Sequence, residues 1–278
     1  MIIKDYNYIA VYLTFACDNA CPYCITRIDG LVGRETVPAR DWINLFNAMK
    51  ISEDVPITLQ GGEPTIYPEF YEMMAGVELN KTFNLMTNLN FDPKEFMRKI
   101  NPGIFNRQAP FPSIRVSYHV GQVDREVIIK KLKVMTDAGY SIGLYMLDHP
   151  SWREEIKIVR EKCQQKGIDF RLKDYLDRSI DVTKFKYHYV QDRKVWCKNS
   201  DLIISPDLSV YKCHYDLYSN LNPLFNFRDS YPAVVEPKWA FCTYPTKCNP
   251  CDVKIKNSRF QQWGHCSVEI SEDENFNN

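Results

Sequence analysis

Three cysteines lie close together near the start of the chain: Cys17, Cys21 and Cys24, in the run CDNACPYC. A thiolate set with this spacing can hold one iron–sulfur cluster, and a 4Fe–4S cluster normally takes four thiolates. Three local ligands leave one iron open to a small molecule, so the run predicts a catalytic site. The alternative is three members of a zinc site whose fourth ligand lies elsewhere.

A second motif follows a short apolar run at residues 57–65, ITLQGGEPT. Its glycines, Gly61 and Gly62, allow a backbone to approach a ligand closely, and the carboxylate of Glu63 can accept from an ammonium group. Alone, this motif would be an ordinary tight turn after a strand. Here it ends a second predicted strand, and the cysteine run follows the first, so both are expected at the same edge of a parallel sheet.

The order of the two motifs, the cysteine spacing and the aromatic Tyr23 before the third cysteine resemble the radical SAM (S-adenosylmethionine) superfamily. The resemblance implies that the cysteines bind a 4Fe–4S cluster whose open iron is chelated by S-adenosylmethionine (AdoMet). It implies that Tyr23 lies near the adenine. It also implies that Gly61, Gly62, Glu63 and Pro64 meet the amino group of AdoMet.

Other polar residues follow later strands. The resemblance implies that Asn88 and Ser117 contact the ribose or the carboxylate of AdoMet, whereas capping of the following helices is the alternative. His119 is either a substrate contact or a partly buried histidine with a satisfied partner, and we favour the second. Arg171 and Lys173 could bind a carboxylate, but a strand with a solvated face is preferred for them.

Strand-like and helix-like segments alternate over the first two-thirds of the chain, which predicts a parallel α/β fold. The resemblance narrows this to a partial (β/α)6 TIM-like barrel over residues 1–190. Two of the helices are expected to end at Gly139 and Gly167. The predicted strands are Tyr8–Phe15, Pro56–Gln60, Phe83–Thr87, Ser113–Tyr118, Ser141–Leu147 and Ile168–Lys173. The predicted helices are Ala39–Met49, Pro68–Gly76, Pro93–Lys99, Asp124–Ala138 and Ser151–Lys166.

A second, cysteine-rich region is predicted over residues 191–266, followed by an acidic flexible tail at 267–278. Its segment Ile204–Cys213 resembles the hairpin of SPASM and Twitch auxiliary domains, although Leu208 stands where that family usually has glycine. Two complete clusters need about eight thiolates, and only six cysteines follow the core. One auxiliary 4Fe–4S cluster is therefore favoured over two, with two incompletely ligated clusters as the alternative. A structural zinc site is a further alternative, and the resemblance to a radical SAM core favours the iron–sulfur cluster. Its expected ligands are Cys197, Cys213, Cys248 and Cys251, with Cys242 as a substitute for one of the last two.

Composition limits the partners. Lys plus Arg and Asp plus Glu are both 35 among 278 residues, and this zero net charge argues against a nucleic-acid partner and an RNA-modifying activity. We see neither a signal peptide nor a membrane span, and ten cysteines fit metal binding in a reducing compartment, so a cytoplasmic protein is expected.

The resemblance implies the activity. A donor such as flavodoxin or ferredoxin supplies one electron, which cleaves AdoMet and produces a 5′-deoxyadenosyl radical. This radical takes a hydrogen atom from a substrate. An auxiliary cluster favours a net oxidation, a dehydrogenation or a cross-link. The expected substrate is a small carbohydrate-type metabolite, because the first strand begins by about Tyr8 and leaves no room for a leader-recognition domain. Modification of a ribosomally made peptide is the alternative, and a non-catalytic zinc scaffold is the alternative of another class.

Overall fold

The computed structural model describes residues 1–24, 31, 35–174, 195–242 and 268–271. Its strands are β1 (Ile2–Ile3), β2 (Tyr8–Thr14), β3 (Ile57–Gly61), β4 (Phe83–Thr87), β5 (Ile114–Ser117), β6 (Ile142–Asp148), β7 (Asp169–Asp174), β8 (Val195–Asn199), β9 (Asp201–Ile204), β10 (Ser209–Tyr211), β11 (Phe225–Asn226), β12 (Val234–Val235), β13 (Ala240–Cys242) and β14 (Val268–Ser271). Its α-helices are α1 (Ala39–Ala48), α2 (Phe70–Gly76), α3 (Pro93–Lys99), α4 (Arg125–Asp137), α5 (Arg153–Gln165) and α6 (His214–Ser219).

Strands β2 to β7 lie side by side in chain order and all pair in parallel. The helices α1 to α5 occur in the connections between them. This confirms the predicted α/β fold with a mostly parallel central sheet. Closure of that sheet into a partial barrel stays a prediction.

One face of this sheet packs against the helices. Alternate residues of each strand, such as Val11 on β2 and Leu144 on β6, join one apolar core with Trp42 of α1 and Leu132 of α4. The intervening residues of each strand point to the other face, since side chains alternate along a strand. We call this second face the polar face, because on β5 and β7 its positions include Arg115, Ser117, Arg171 and Lys173.

The central sheet does not stop at β2. Strand β9 pairs in parallel with β2, and β10 and β11 continue from it in antiparallel order. The segment that resembles an auxiliary hairpin is thus part of the sheet that carries the first motif. A separate three-stranded sheet has the order β13–β8–β14, and β1 pairs with β12.

Strand β14 was not expected, because residues 267–278 were predicted to be a flexible tail; its residues pair with β8 instead. The domain boundaries at 190 and 266 stay predictions. Cys248 and Cys251 lie outside the described residues, as does most of the predicted tail. Within the described ranges, none of the helices has the length and apolar character that a membrane crossing requires.

Candidate active site

The cysteine loop leaves the carboxyl end of β2. Cys21 is buried, and Cys17 and Cys24 are half-buried. The backbone N–H of Asn19 donates to Cys17 Sγ at 3.4 Å, and that of Cys24 donates to the carbonyl of Cys21 at 3.2 Å. The loop therefore presents its thiols at the edge of the sheet where ligands of parallel α/β folds gather.

The glycine motif is joined to this loop through the backbone. The N–H of Gly62 donates to the carbonyl of Thr14 at 2.9 Å, and the N–H of Glu63 donates to the carbonyl of Ala16 at 2.8 Å. A Cβ atom on Gly62 would lie 2.0 Å from Ala16 O, and Gly61 has a φ of +140°. Both positions thus need glycine, which places the two motifs in direct contact.

The side chain of Glu63 lies beneath this contact and is only 1% exposed. Its Oε1 accepts from Thr65 N at 3.1 Å, from Thr65 Oγ1 at 2.6 Å and from Thr87 Oγ1 at 2.8 Å, while Oε2 accepts from Asn88 N at 2.6 Å. Burial raises the pKa of Glu63, and the hydrogen bonds from Thr65, Asn88 and Thr87 oppose that shift. The carboxylate fixes the end of β4 against the second motif.

Replacing Glu63 by glutamine is expected to destabilise the fold by about 1–3 kcal/mol. Both oxygens of the Glu63 carboxylate accept hydrogen bonds. In either orientation of the glutamine amide, its NH2 group would therefore lie against a hydrogen-bond donor and one of these bonds would be lost. The measurement is the free energy of unfolding in a denaturant titration. Glu95→Gln is the matched control, since Glu95 pairs with Lys99 on an exposed helix surface and should cost under about 0.5 kcal/mol. Equal losses in the two variants would refute this role of Glu63.

Asn88 connects the end of β4 to the cysteine loop. Its Nδ2 donates to Asp18 Oδ1 at 2.6 Å and lies 4.0 Å from Cys17 Sγ. Asn90 Nδ2 donates to Asp18 Oδ2 and to Asn19 Oδ1, each at 3.0 Å. Asn88 does not cap helix α3, because Asp92 does so by accepting from Lys94 N. No sequence motif pointed to Asp18 or Asn90, although Asp18 lies within the cysteine run.

Tyr23 belongs to an aromatic group at the same edge of the sheet. Its hydroxyl lies 2.9 Å from His119 Nδ1, and its ring centroid lies 5.5 Å from that of Trp152. Burial, and to a lesser extent Lys173, lowers the pKa of His119 to about 4. The ring is therefore neutral near pH 7, so Nδ1 can accept from the tyrosine hydroxyl.

This arrangement agrees with the prediction that His119 has a satisfied partner. Trp152, which follows β6, carried no motif and was missed. Ser117 is the last residue of β5 and is half-buried. Pro64 begins a short 3-10 helix, Pro64–Ile66, that the side chain of Glu63 caps. The AdoMet contacts predicted for Tyr23 and Ser117 stay predictions, as do those of Asn88 and of the four residues of the glycine motif.

The thiols have the chemistry of a soft-metal site. Burial raises the pKa of Cys17 to about 11, with smaller contributions from Glu63 and Asp18. A bound metal would replace the proton, because thiolate is the binding form. Among the described residues, no three Cys, His, Asp or Glu side chains converge as ligands of one ion would. In a 4Fe–4S cluster each thiolate binds a different iron, so its ligands need not meet at one point, and the three thiols fit such a group.

Three described cysteines of the second group, Cys197, Cys213 and Cys242, line a cavity of about 570 Å³. Cys197 lies opposite Ala240 in the pairing of β8 with β13, so Cys242, two residues on, shares its face of that sheet. Cys213 caps helix α6, and its Sγ lies 3.5 Å from the Asp216 N–H that donates to it. The substitute ligand Cys242 thus lines the same cavity as two of the four cysteines that the sequence analysis preferred.

Comparison with solved structures finds the same fold elsewhere. The chain is similar to SuiB from Streptococcus suis, with a TM-score of 0.54 and 15% identity over 81% of this chain and 64% of that one. It is similar to SuiB bound to its precursor peptide SuiA, with a TM-score of 0.56 and 14% identity over 80% and 62%. It is also similar to histidine-tagged anSMEcpe with bound AdoMet, with a TM-score of 0.54 and 13% identity over 82% and 75%.

The chain spans less than two thirds of the SuiB chains that it matches. No family model matches the sequence, and no curated protein matches it significantly. At these identities the likeness shows the fold. It supports the resemblance to the radical SAM superfamily that the cysteine loop and the glycine motif carry.

Proposed function

We propose that this chain is a radical SAM enzyme that modifies a peptide. The observation that carries the proposal is the hydrogen-bonded junction between the three-cysteine loop and the glycine motif, through Thr14 to Gly62 and Ala16 to Glu63. The likeness to anSMEcpe with bound AdoMet supports the same cofactor here. With a 4Fe–4S cluster and AdoMet bound, the site would supply a 5′-deoxyadenosyl radical that abstracts a hydrogen atom.

The protein's own residues hold and shield that chemistry. Cys17, Cys21 and Cys24 would hold the cluster, and the network from Glu63 through Asn88 to Asp18 fixes the loop that carries them. Tyr23, packed against Trp152, would cover the adenine. Exclusion of water by these side chains would keep the radical from side reactions.

A peptide substrate replaces the carbohydrate-type metabolite as the favoured choice. The comparisons give no support to a carbohydrate-type substrate, whereas one similar structure is SuiB bound to its precursor peptide SuiA. We propose a net oxidation of that peptide, with an electron donor of the flavodoxin or ferredoxin type. A chain with ten cysteines fits metal binding in a reducing compartment such as the cytoplasm.

We propose one auxiliary 4Fe–4S cluster in the cavity of the second cysteine group. Three of its ligands would be Cys197, Cys213 and Cys242, which line one cavity, and Cys248 or Cys251 would supply the fourth. The backbone N–H of Asp216 donates to Cys213 Sγ at 3.5 Å and would hold that sulfur in position. The cluster would accept an electron from the substrate radical or shape the substrate pocket.

Anaerobic reconstitution with counts of iron and acid-labile sulfide tests this assignment. We expect about eight irons and about eight sulfides per chain for two cubanes. Zinc without sulfide would instead support the non-catalytic zinc scaffold.

Replacing Cys242 by alanine is expected to lower the iron content from about eight to about four per chain. The matched control is Cys163→Ala on helix α5, because Cys163 is fully buried in the apolar core. That variant should keep about eight irons. Full iron retention in the Cys242 variant would return the ligand set to Cys197, Cys213, Cys248 and Cys251.

A further inference from the structure

The polar face of the central sheet carries cations that its acids do not neutralise. Arg171 forms a two-point ion pair with Asp169, with Nε to Oδ1 at 2.8 Å and Nη2 to Oδ2 at 3.1 Å. Asp169, the acidic residue that β7 places on the polar face, is therefore already paired with Arg171. The remaining cations of this face are Arg115 and Lys173, and Arg107 approaches them from the connection between β4 and β5.

Among the described residues, Arg115 is the cation of the polar face whose side-chain nitrogens most clearly lack partners. Its Nε and Nη2 atoms are buried, and within the described ranges neither has a hydrogen-bond partner. Its guanidinium lies 5.5 Å from the centre of the Phe111 ring, and the guanidinium of Arg107 lies 5.0 Å from the same ring. Burial, and then repulsion by Arg115, lowers the pKa of Arg107 to about 10. Two like charges thus share one aromatic ring.

Lys173 adds a third positive charge. Its Nζ lies 5.1 Å from the centre of the Tyr145 ring, and it forms neither a hydrogen bond nor an ion pair within the part of the chain that the structure describes. Burial, and then repulsion by Arg115, lowers the pKa of Lys173 to about 7. The acid that acts on Arg107 is Asp54, which is exposed.

Buried cations without partners are costly to a folded protein, and a bound anion would relieve that cost. The planar fork of an arginine matches a carboxylate with two parallel hydrogen bonds. Taken as whole residues, Arg115 and Lys173 are half-buried. The Phe111 ring beside Arg115 and the Tyr145 ring beside Lys173 suit an organic ligand.

We propose that Arg115 and Lys173 bind a side-chain carboxylate of the substrate on the polar face of the sheet. This rests on the proposed function for its choice of a peptide, and the ligand is then an acidic peptide residue. The carboxylate of AdoMet is the other anion that could bind these two cations. Arg115 lies two residues before the end of β5 at Ser117, about 7 Å deeper than the strand ends where AdoMet is expected.

The test uses the reconstituted full chain and N-acetylglutamate α-amide as the probe, with N-acetylglutamine α-amide as its neutral analogue. At about ten times its dissociation constant, the glutamate probe should raise the midpoint of thermal unfolding by about 3 °C. The glutamine analogue should not. Arg115→Gln and Lys173→Gln should each lose the shift. Lys133→Gln, on the exposed surface of α4 where Lys133 pairs with Asp137, should keep it.

Without the probe, Arg115→Gln and Lys173→Gln should unfold at or above the wild-type midpoint, since each removes a repelled cation. A purely structural role would lower both midpoints. Arg115→Lys keeps the charge but loses the fork, so it should fold and bind the probe about tenfold more weakly. AdoMet affinity should stay within twofold in the two Arg115 variants and in Lys133→Gln. A shift with the glutamine analogue, a shift that survives in Arg115→Gln or Lys173→Gln, or a tenfold loss of AdoMet affinity in an Arg115 variant would overturn the proposal.

Probe binding does not depend on cleavage of AdoMet. A wild-type protein that binds the probe but forms no 5′-deoxyadenosine would refute the proposed enzyme function and leave the carboxylate site in place. A protein that cleaves AdoMet but ignores the probe would refute the carboxylate site alone.

Discussion

Replacing Cys17, Cys21 and Cys24 together by alanine is expected to remove one of two clusters and all AdoMet cleavage. The reason is that the three thiols lie on one loop, where they would together hold the cluster that binds AdoMet. Iron should fall from about eight to about four per chain after anaerobic reconstitution, and 5′-deoxyadenosine should become undetectable. Iron and sulfide assays and chromatography of the quenched reaction measure both effects.

The single variant Cys163→Ala again serves as the control, since its thiol is buried between helix α5 and the sheet. It should keep its iron content and its cleavage activity. A triple variant that still formed 5′-deoxyadenosine would refute the proposal that this loop holds the cluster that cleaves AdoMet.

Replacing Gly62 by alanine is expected to be strongly destabilising. Its new Cβ would lie 2.0 Å from Ala16 O and 2.5 Å from Phe15 O. Both are backbone atoms, so they cannot turn away as a flexible side chain could. The junction between the two motifs must open, at a cost of about 3 kcal/mol or more in the free energy of unfolding.

Gly139→Ala provides the comparison for that measurement. Gly139 has a φ of +84°, but a Cβ there meets nothing within 4 Å. Only the strain of the left-handed conformation remains, about 1–2 kcal/mol. In denaturant titrations, the free energy of unfolding should therefore fall clearly more in the Gly62 variant than in the Gly139 variant. Iron incorporation should fall only in the Gly62 variant. A smaller loss at Gly62 than at Gly139 would contradict the described contact.

The elements of the core could be read from the sequence because local signals agree with each other there. Apolar runs of strand length alternate with amphipathic segments, and each predicted boundary lies within two residues of the observed one. Phe83–Thr87 and Pro93–Lys99 match at both ends. Helices α4 and α5 end just before Gly139 and Gly167, whose φ values of +84° and +68° only glycine adopts easily.

Contacts between distant segments could not be read in the same way. The bond from Asn88 to Asp18 joins residues 70 positions apart, and no local pattern reports such a distance. The parallel pairing of β9 with β2 is likewise a long-range choice, since β9 looks like any short apolar strand. Tertiary packing, and not local sequence, determines both the Asn88–Asp18 hydrogen bond and the pairing of β9 with β2.

Leu208 shows how a local rule can be overridden. Its turn position has a φ of +68°, which explains the glycine that the resembling family usually has there. The leucine side chain is fully buried in the main apolar core, and this burial offsets the backbone strain. The departure from the family pattern is therefore compatible with the same turn.

The central claim is that the junction of the cysteine loop and the glycine motif cleaves AdoMet. The most direct measurement is 5′-deoxyadenosine and methionine released by the reconstituted, reduced full chain incubated with AdoMet under anaerobic conditions. We expect that both products form in equal amounts and that neither forms without reductant. A protein that contains its full iron and sulfide, is reduced, and still releases no 5′-deoxyadenosine would contradict it.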